Sequence, residues 1–391
     1  MKSKSLKRVL FIIGTFLVAT LIVYLMAIAG NKSKGPLENM LYNAEKGIVS
    51  LENDLIIKDR VSERKEKLKE FDAYRKDINK LKNPSVIIMG ASDASEKESY
   101  ENLINLEDSL KTSFPIIHIY NAWGSKPEEQ FPKLAVKTIL GMGSTPMITW
   151  EPWFGDFDAE VYTSIPKEIM KRDKNGLTAI SKGHYDAYIR QYAKDTKEVG
   201  EPLFIRFAHE MNDPYRYPWG PQNNSPEEFV KAWQHVHDLF EEEGAKNVVW
   251  VWSPHPSYQY FEEFYPGEEY VDYVGLGVLN FGTSASWSQW WTFEELLGKD
   301  YEKLATFDKP IMIAEFGTLN IGGDRGKWFA DALKDLPNKY PQIKSILYFH
   351  YPLDETLTNK KISWYFINDN AVLDSIKTSI HNWDDSLKFK Q

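Results

Sequence analysis

The sequence predicts an α/β chain whose main domain is a (β/α)8 TIM barrel, because short apolar runs alternate with amphipathic stretches from Pro84 onward. Helical periodicity marks intervening stretches such as 185–199, 226–243 and 327–336. No glycine-rich phosphate-binding sequence follows the first apolar run, which disfavours the alternative of a doubly wound open sheet. The predicted strands are 86–89, 116–120, 146–150, 202–207, 248–252, 273–279, 310–314 and 343–349.

Residues 9–30 predict a transmembrane helix. These 22 residues are largely apolar and carry no charge. At about 1.5 Å per residue they would extend roughly 33 Å, enough for the hydrocarbon core of a bilayer. Basic residues between Lys2 and Arg8 precede them, so residues 1–30 are expected to be a cytoplasmic flank and an anchor, with the remaining chain extracellular at the cell membrane. A cleaved signal peptide and secretion are the alternative, since residues 27–29 have the small-x-small pattern of a cleavage site.

Residues 31–84 predict a helical linker or stalk before the main domain, which is predicted to be 85–391. The segment is rich in Lys, Glu, Asp and Asn and has few aromatic residues. A short coiled coil and amphipathic helices packed on the main domain both fit its pattern. Apolar residues alternate in steps of four and three at Leu37, Leu41, Ala44, Ile48, Leu51 and Leu55.

Two glutamates at the ends of core strands are the candidate catalytic residues. The strand predicted at 202–207 begins with apolar residues, and its end and the residues after it carry four polar side chains. These are Arg206, His209, Glu210 and Asn212. Ionisable groups at the end of a core strand are costly unless that end opens into a site, although an exposed loop is the alternative for this segment alone. The strand predicted at 310–314 is followed in the same way by Glu315. Glycoside hydrolysis requires such a pair: one carboxyl protonates the leaving oxygen, and the other attacks the anomeric carbon or activates water.

Three motifs surround these residues: His209-Glu210-Met211-Asn212, Tyr217-Pro218-Trp219-Gly220 and Ile313-Ala314-Glu315-Phe316-Gly317. They resemble glycoside hydrolase family 26, which contains mainly endo-β-1,4-mannanases, with some mixed-linkage β-glucanases and xylanases. The resemblance extends from about Ser85 to His381. It implies a retaining mechanism in which Glu210 is the general acid/base and Glu315 the nucleophile. By the same resemblance, His209 matches the histidine that precedes the acid/base in this family, and Trp219 resembles a residue beside the cleaved sugar.

Other residues complete the predicted substrate-binding set. Trp153 follows the third strand and Trp364 follows the eighth, and aromatic rings on loops suit the C–H faces of sugars, with loop or core packing as the alternative. Arg206 is predicted to act on a catalytic carboxylate, because even spacing on one strand would place it on the same face as Glu210. A structural ion pair is its alternative role. The full set is His209, Arg206, Trp153, Trp219, Asn212, Asn280 and Trp364.

The sixth strand departs from the family pattern. Many relatives carry an Asp-x-Tyr pattern there, whose tyrosine hydroxyl contacts the nucleophile, whereas this chain has Gly277 and Leu279. Residues 283–287 and 293–295 resemble the mixed-linkage glucanase branch. We therefore expect either modest activity or a substitute donor to Glu315, supplied by Arg206 or by a tyrosine or tryptophan of a neighbouring loop.

Composition excludes several classes of partner. A net charge of −9 argues against nucleic acid, and the lack of cysteine excludes disulfides and thiolate metal sites. No His/Asp/Glu cluster has metal-ligand spacing in the sequence, and the predicted chemistry needs neither a metal nor a cofactor. The predicted function is that of a retaining endo-β-glycoside hydrolase that cleaves a β-1,4-linked mannan or mixed-linkage β-glucan outside the membrane. The alternative is a glycan-binding protein with little or no turnover on the same barrel.

Overall fold

The computed structural model describes residues 36–93, 100–172, 174–356 and 359–389. The predicted transmembrane segment at 9–30 therefore lies outside the described residues. Among the helices that are described, none is long and apolar enough to cross a membrane. Contacts divide the chain into two units, residues 1–55 and 56–391. The barrel belongs entirely to the second unit.

Eight parallel strands close into a barrel in chain order, so the predicted (β/α)8 fold is confirmed. Each predicted strand is present. The strand at 248–252 has the predicted bounds, and the bounds of the other seven are shifted by at most four residues. A short antiparallel pair, β9 and β10, follows the barrel. The strands are β1 (Ile88–Asp93), β2 (Ile116–Ala122), β3 (Thr145–Glu151), β4 (Leu203–Phe207), β5 (Val248–Trp252), β6 (Tyr273–Asn280), β7 (Ile311–Thr318), β8 (Ile343–His350), β9 (Asp354–Glu355) and β10 (Lys361–Ile362).

Helices precede the barrel and connect its strands. They are α1 (Pro36–Lys67), α2 (Lys69–Arg75), α3 (Ile78–Lys82), α4 (Glu101–Leu110), α5 (Lys133–Gly141), α6 (Lys167–Arg172), α7 (Gly176–Ser181), α8 (Asp186–Val199), α9 (Pro226–Glu243), α10 (Phe293–Leu304), α11 (Arg325–Lys334), α12 (Leu336–Lys339) and α13 (Asn370–His381). The start of α9 is as predicted, because the Ser225 side chain accepts from the Glu228 amide and the Glu228 carboxylate accepts from the Ser225 amide.

The N-terminal end of the barrel interior is filled by side chains from every strand, and α2 and α3 pack into the same core. Phe204 of β4 and Met312 of β7 are among the strand residues of this cluster, which also contains Leu68, Phe71 and Leu81. The latter three side chains are no more than 3% exposed. Leu68, Phe71 and Leu81 precede the first strand and nevertheless belong to the core of the barrel unit.

A buried ion pair joins α1 to α4 within the barrel unit. The Arg64 guanidinium donates to the Glu107 carboxylate, and its Nε donates to the backbone oxygen of Met142 over 2.9 Å. Both charged side chains are almost fully buried. Since a buried charge is stable only with its partner, the pair requires this part of α1 to be in place.

The carboxyl ends of β4 and β7 differ from the sequence prediction. β7 continues to Thr318, so Glu315 lies within this strand and pairs with Gly277 of β6, where a register shift occurs. β4 ends at Phe207, and positive φ angles of 44° at Ala208 and 53° at Glu210 turn the chain away from the strand. The prediction that strand alternation places Arg206 and Glu210 on one face is therefore wrong.

Candidate active site

A cavity of about 660 Å³ lies at the carboxyl end of the barrel strands. This is the end at which active sites of (β/α)8 enzymes form. The side chains that matter for its chemistry come from five different strands and the loops after them. They include Tyr120, Glu151, Trp153, His209, Leu279 and Glu315.

Glu210 and Glu315 face the same space beside Gly277. A Cβ atom added to Gly277 would lie 3.7 Å from Oε2 of Glu315 and 3.9 Å from Oε1 of Glu210. Both glutamates are more than nine-tenths buried. The two carboxyl groups predicted from sequence are thus brought together, and the absence of a side chain at Gly277 leaves room between them.

Glu315 is held as a carboxylate by two donors. The Tyr120 hydroxyl donates to its Oε1 over 2.6 Å, and the Arg206 guanidinium donates to the same oxygen. Nε of Arg206 donates to Thr149 Oγ1 over 2.8 Å, which orients the guanidinium. Burial alone would raise the pKa of Glu315, but the charge of Arg206 and the hydrogen bonds from Arg206 and Tyr120 hold the pKa well below its ordinary value.

Glu210 has the opposite electrostatic environment. Burial raises its pKa above the ordinary value, the negative charge of Glu315 adds to this, and His255 and Arg216 oppose it. Among the described residues none donates a hydrogen bond to its Oε2, and the nearest ionic partner of that oxygen, Nη1 of Arg216, is 3.9 Å away. Glu210 is therefore biased towards its protonated form and Glu315 towards its anion. A general acid and a nucleophile require this difference.

Trp219 lies behind the cavity wall. Its side chain is fully buried, and its Nε1 donates to the backbone oxygen of His209 over 2.7 Å. Tyr217, which lines the cavity, stacks on Trp219 with ring centroids 4.5 Å apart and accepts or donates a 3.0 Å hydrogen bond with His209 Nε2. The resemblance implied that Trp219 lies beside the cleaved sugar. In the structure Tyr217 covers the face of the Trp219 ring, so Tyr217 and not Trp219 lines the cavity. Burial lowers the pKa of His209 well below the ordinary value and keeps the ring neutral.

Trp153 lines the cavity as predicted from its place after the third strand. Its Nε1 donates to Oε2 of Glu151 over 3.3 Å. Glu151 is a further carboxyl group that lines the cavity. It was not predicted as a site residue, although it ends an apolar strand just as the catalytic candidates do. Burial raises its pKa to about 7. Its Oε1 lies 4.0 Å from Nδ1 of His209.

The remaining predicted binding residues support the loops around the cavity. Nδ2 of Asn212 donates to the His255 backbone oxygen over 3.0 Å, and its Oδ1 accepts from the His255 amide over 2.7 Å. Asn280 is fully buried and binds Thr318 and the Gly282 amide. These two side chains are therefore committed to protein contacts, which corrects their prediction as sugar ligands.

Trp364 is also fully buried and does not line the cavity. Its Nε1 donates to Oδ2 of Asp354 over 2.7 Å, and its ring packs edge-on against Phe281 at 4.9 Å. Phe281 does line the cavity, so Trp364 acts as the support beneath it. Trp364 therefore packs in the core, which was the alternative to its predicted role in sugar binding.

Tyr120 supplies the hydroxyl that Leu279 cannot. Leu279 lines the cavity, and the donor to Glu315 comes from β2 on another side of the barrel. The prediction of a substitute donor is thus confirmed for Arg206, while the tyrosine belongs to a strand and not to a neighbouring loop. Its inward position on β2, in alternation with His118, was the signal that could have identified it.

Glu210, Asp213 and His255 offer oxygen and nitrogen atoms that all lie within 4.8 Å of one another. Spacing along the sequence showed no sign of this cluster, because the turn after β4 and the loop after β5 bring together residues that are distant in sequence. The ring does not fit a metal, however. Nδ1 of His255 accepts from the Ser257 amide over 3.1 Å, so the proton of the neutral ring is on Nε2, and neither nitrogen has a free lone pair.

Residues 158–317, which contain both glutamates, match Glycosyl hydrolase family 26. The chain belongs to this family. The family 26 resemblance inferred from the motifs around Glu210 and Glu315 is thus confirmed.

Curated relatives extend the match beyond the two motifs. Endoglucanase H of Acetivibrio thermocellus is 30% identical over 274 residues, which cover 68% of this chain and 27% of that protein. Mannan endo-1,4-beta-mannosidase of Bacillus subtilis is 26% identical over 192 residues, 46% of this chain and 48% of that protein. The matched region thus spans less than half the length of either relative.

Solved structures of family 26 proteins share the fold. Bacillus subtilis mannanase man26 superposes with a TM-score of 0.52 at 20% identity, covering 79% of this chain and 92% of that structure. GH26C from Muricauda sp. superposes with a TM-score of 0.58 at 17% identity, covering 80% of this chain and 89% of that structure. At these identities the similarity establishes the barrel fold and no more.

Proposed function

We propose that the chain is a retaining endo-β-glycoside hydrolase with Glu315 as nucleophile and Glu210 as general acid/base. The observation that carries this proposal is the pair of buried carboxyl groups beside Gly277 whose pKa values are shifted in opposite directions. A carboxyl kept protonated next to one kept ionised is the arrangement that glycoside cleavage needs. Membership of family 26 agrees with the assignment.

Each half of the proposed reaction uses both groups. In the first, Glu315 forms a bond to the anomeric carbon while the glycosidic bond breaks, and Glu210 gives its proton to the departing oxygen. In the second, Glu210 takes a proton from water, the water oxygen bonds to the anomeric carbon, and the Glu315 carboxylate leaves. Arg206 and Tyr120 stabilise Glu315 as an anion before the attack and after the release.

The proposed substrate is a β-1,4-linked mannan or a mixed-linkage β-glucan, cleaved within the chain. The names of the relatives support both classes, since one is an endoglucanase and another a mannan endo-1,4-beta-mannosidase. A cavity of about 660 Å³ bordered by the aromatic rings of Trp153, Tyr217 and Phe281 suits a sugar polymer. The donor supplied by Tyr120 removes the reason, drawn from Leu279, to prefer a non-catalytic glycan-binding protein.

We also propose that the catalytic domain acts outside the cell, tethered through residues 9–30. The support is the uncharged apolar stretch and the basic residues before it. Protease added to intact cells is expected to remove the barrel domain. Full protection of the domain would contradict this orientation, and a mature chain starting at Asn31 would show a signal peptide in place of an anchor.

Two alanine variants test the catalytic roles. Glu210→Ala should lower kcat/KM by about 10²–10⁴-fold for substrates with poor leaving groups and far less for activated aryl glycosides, because only the former need protonation in the first half of the reaction. Glu315→Ala should abolish turnover of both, since no covalent intermediate can form. Rates are measured on β-mannan, lichenan, β-glucan, xylan and aryl glycosides. Glu294→Ala is the matched control, because Glu294 is exposed and pairs only with Lys339 among the described residues. Equal losses for both variants on both substrate types would contradict the assignment.

A further inference from the structure

Trp287 is the one exposed tryptophan of this chain. All 13 tryptophans lie in the described part of the chain, and the others are buried or half-buried. The Trp287 side chain is 59% exposed. A single exposed apolar side chain is ordinary on a protein surface. The position of Trp287 next to the cavity and the way in which its loop is held distinguish it from such a residue.

The loop after β6, which carries this tryptophan, is fixed at both ends. Oδ1 of Asn280 accepts from the amide of Gly282 over 3.1 Å and from the amide of Trp291 over 3.3 Å. The ring of Trp290 packs against Gly323 and occupies the place that a Cβ atom on this glycine would take. The two neighbouring tryptophans therefore anchor the loop, and the exposed ring is presented from a held segment.

Three apolar side chains, Phe281, Trp287 and Leu353, form what we call the cavity rim. Phe281 lines the cavity, and its ring meets Trp287 edge-on with centroids 6.5 Å apart. Leu353, on the loop after β8, also lines the cavity and is 66% exposed. Nζ of Lys360 donates to the backbone oxygen of Ser284 over 3.3 Å, which joins the chain after β8 to the loop after β6. The apolar surface of the cavity thus continues outward through Phe281 to Trp287.

An endo-acting hydrolase binds more of its substrate than the sugar that it cleaves, because the polymer continues on both sides of the broken bond. The C–H faces of β-linked sugars suit flat apolar rings, and a tryptophan offers a large contact area with few rotatable bonds. We propose that the cavity rim is a further sugar-binding subsite, in which Trp287 stacks on a sugar of the same β-linked chain outside the cavity and Leu353 contacts that chain. The continuity of the rim with the cavity favours the glycan over a second protein chain as the occupant. The inference deepens the proposed function and rests on it.

Variants of Trp287 test the stacking contact. Trp287→Ala should lower kcat/KM for the polysaccharide and for six-sugar chains by roughly 5- to 30-fold, chiefly through KM. Hydrolysis of an aryl glycoside with one sugar should not change, because this substrate fills the cavity without reaching the rim. Trp287→Tyr keeps a flat ring and should retain most of the activity on long chains. Trp287→Leu keeps an apolar side chain without a flat face and should resemble the alanine variant.

Leu353→Ala tests the second side chain of the rim, and Leu51→Ala is its matched control. Both leucines are large apolar side chains with 66% exposure, but Leu51 is on α1 and does not line the cavity. Leu353→Ala should lower kcat/KM for long chains and not for the aryl glycoside, with a smaller loss than Trp287→Ala. Leu51→Ala should leave both substrates unaffected. Equal losses on long and short substrates in Trp287→Ala would overturn the proposal.

Binding without turnover separates this inference from the proposed function. If the unmodified chain hydrolyses no glycan or aryl glycoside, the proposed function fails on its own. Calorimetric titration of Glu315→Gln with mannan and mixed-linkage glucan oligosaccharides of two to six sugars still measures the subsite. Affinity should rise with length, and Trp287→Ala should remove the gain of the longer chains. The same affinity for six sugars with and without Trp287 would contradict the inference. A change in oligomeric state with unchanged hydrolysis in Trp287→Ala would also contradict it, since the rim would then contact a second copy of the chain.

Discussion

The hydroxyl of Tyr120 donates a 2.6 Å hydrogen bond to Oε1 of Glu315 from a strand on another side of the barrel. Arg206 donates to the same oxygen, so a single carboxylate oxygen receives both donors. Leu279, on the strand adjacent to Glu315, offers none. The nucleophile candidate is therefore oriented by residues that are far apart in sequence.

Tyr120→Phe should lower kcat and move the acidic limb of the pH profile upwards. A hydrogen bond to a charged group contributes about 1.5–3 kcal/mol, or roughly 10- to 150-fold in rate if it acts only on the transition state. Without this donor the anion of Glu315 is less stable, so its pKa rises and activity is lost at a higher pH on the acidic side. Steady-state kinetics from pH 4 to 9 measure both effects.

Two further variants test whether the effect is specific to the Tyr120 hydroxyl. Tyr74→Phe removes a hydroxyl that pairs with Ser85 Oγ, away from the cavity, and should leave kcat unchanged. Leu279→Tyr should not raise the rate, because the donor position on Glu315 is already occupied. A clear gain in rate for Leu279→Tyr would mean that Tyr120 does not replace the tyrosine that relatives carry on this strand.

Gly277→Ala should reduce activity with little effect on stability. The new methyl group would lie in ordinary van der Waals contact, 3.7 Å from Glu315 Oε2 and 3.9 Å from Glu210 Oε1. It would therefore fit the fold but fill the space in which the reacting sugar must lie between the carboxyl groups. We expect a fall in kcat/KM with a nearly unchanged melting temperature. Gly298→Ala, on α10, is the matched control and should retain full activity. A melting temperature that falls together with activity would point to a packing role.

Glu151→Gln should alter how stability depends on pH. Burial raises the pKa of Glu151 to about 7, so between its unfolded pKa and pH 7 the folded chain binds more protons than the unfolded chain. Stability from this group is thus greatest below about pH 4.5 and is lost as pH rises towards 7. The shift corresponds to about 3 kcal/mol in the free energy of unfolding. A glutamine is neutral at every pH, so the variant should not show this loss of stability as pH rises. Urea unfolding at pH 4.5 and pH 8 measures the difference. A stability difference between the two proteins that is the same at both pH values would show that burial does not shift Glu151.

Glu107→Asn and Asp108→Asn compare two ion pairs that join α1 to α4. Glu107 is buried with Arg64, and its loss leaves an unpaired buried charge, which should cost about 3–5 kcal/mol in the free energy of unfolding. Asp108 is exposed and pairs with Arg60, so its loss should cost about 0–1 kcal/mol. Chemical denaturation measures both. Similar costs for the two variants would mean that α1 does not contribute a buried contact to the barrel unit.

Local patterns were sufficient for the fold and for the two catalytic candidates. Apolar runs and helical periodicity depend only on neighbouring residues, and the predicted helix at 226–243 and all eight strands are present. The patterns failed where the backbone leaves its regular conformation. The positive φ at Glu210 breaks the alternation that was used to relate it to Arg206, and β7 continues through Glu315 because its last residues pair with β6.

The sequence by itself determined the order of strands and helices, the family and the positions of Glu210 and Glu315 at the carboxyl end of the barrel, because these follow from short-range periodicity and from contiguous motifs. Only the tertiary structure decided which groups surround them. Tyr120 is 195 residues from Glu315, and Asn212 holds the loop of His255 beside the turn that carries Glu210. Barrel closure sets such contacts and the burial that accompanies them. The direction of each pKa shift depends on both, so it could not be obtained from residue type and spacing.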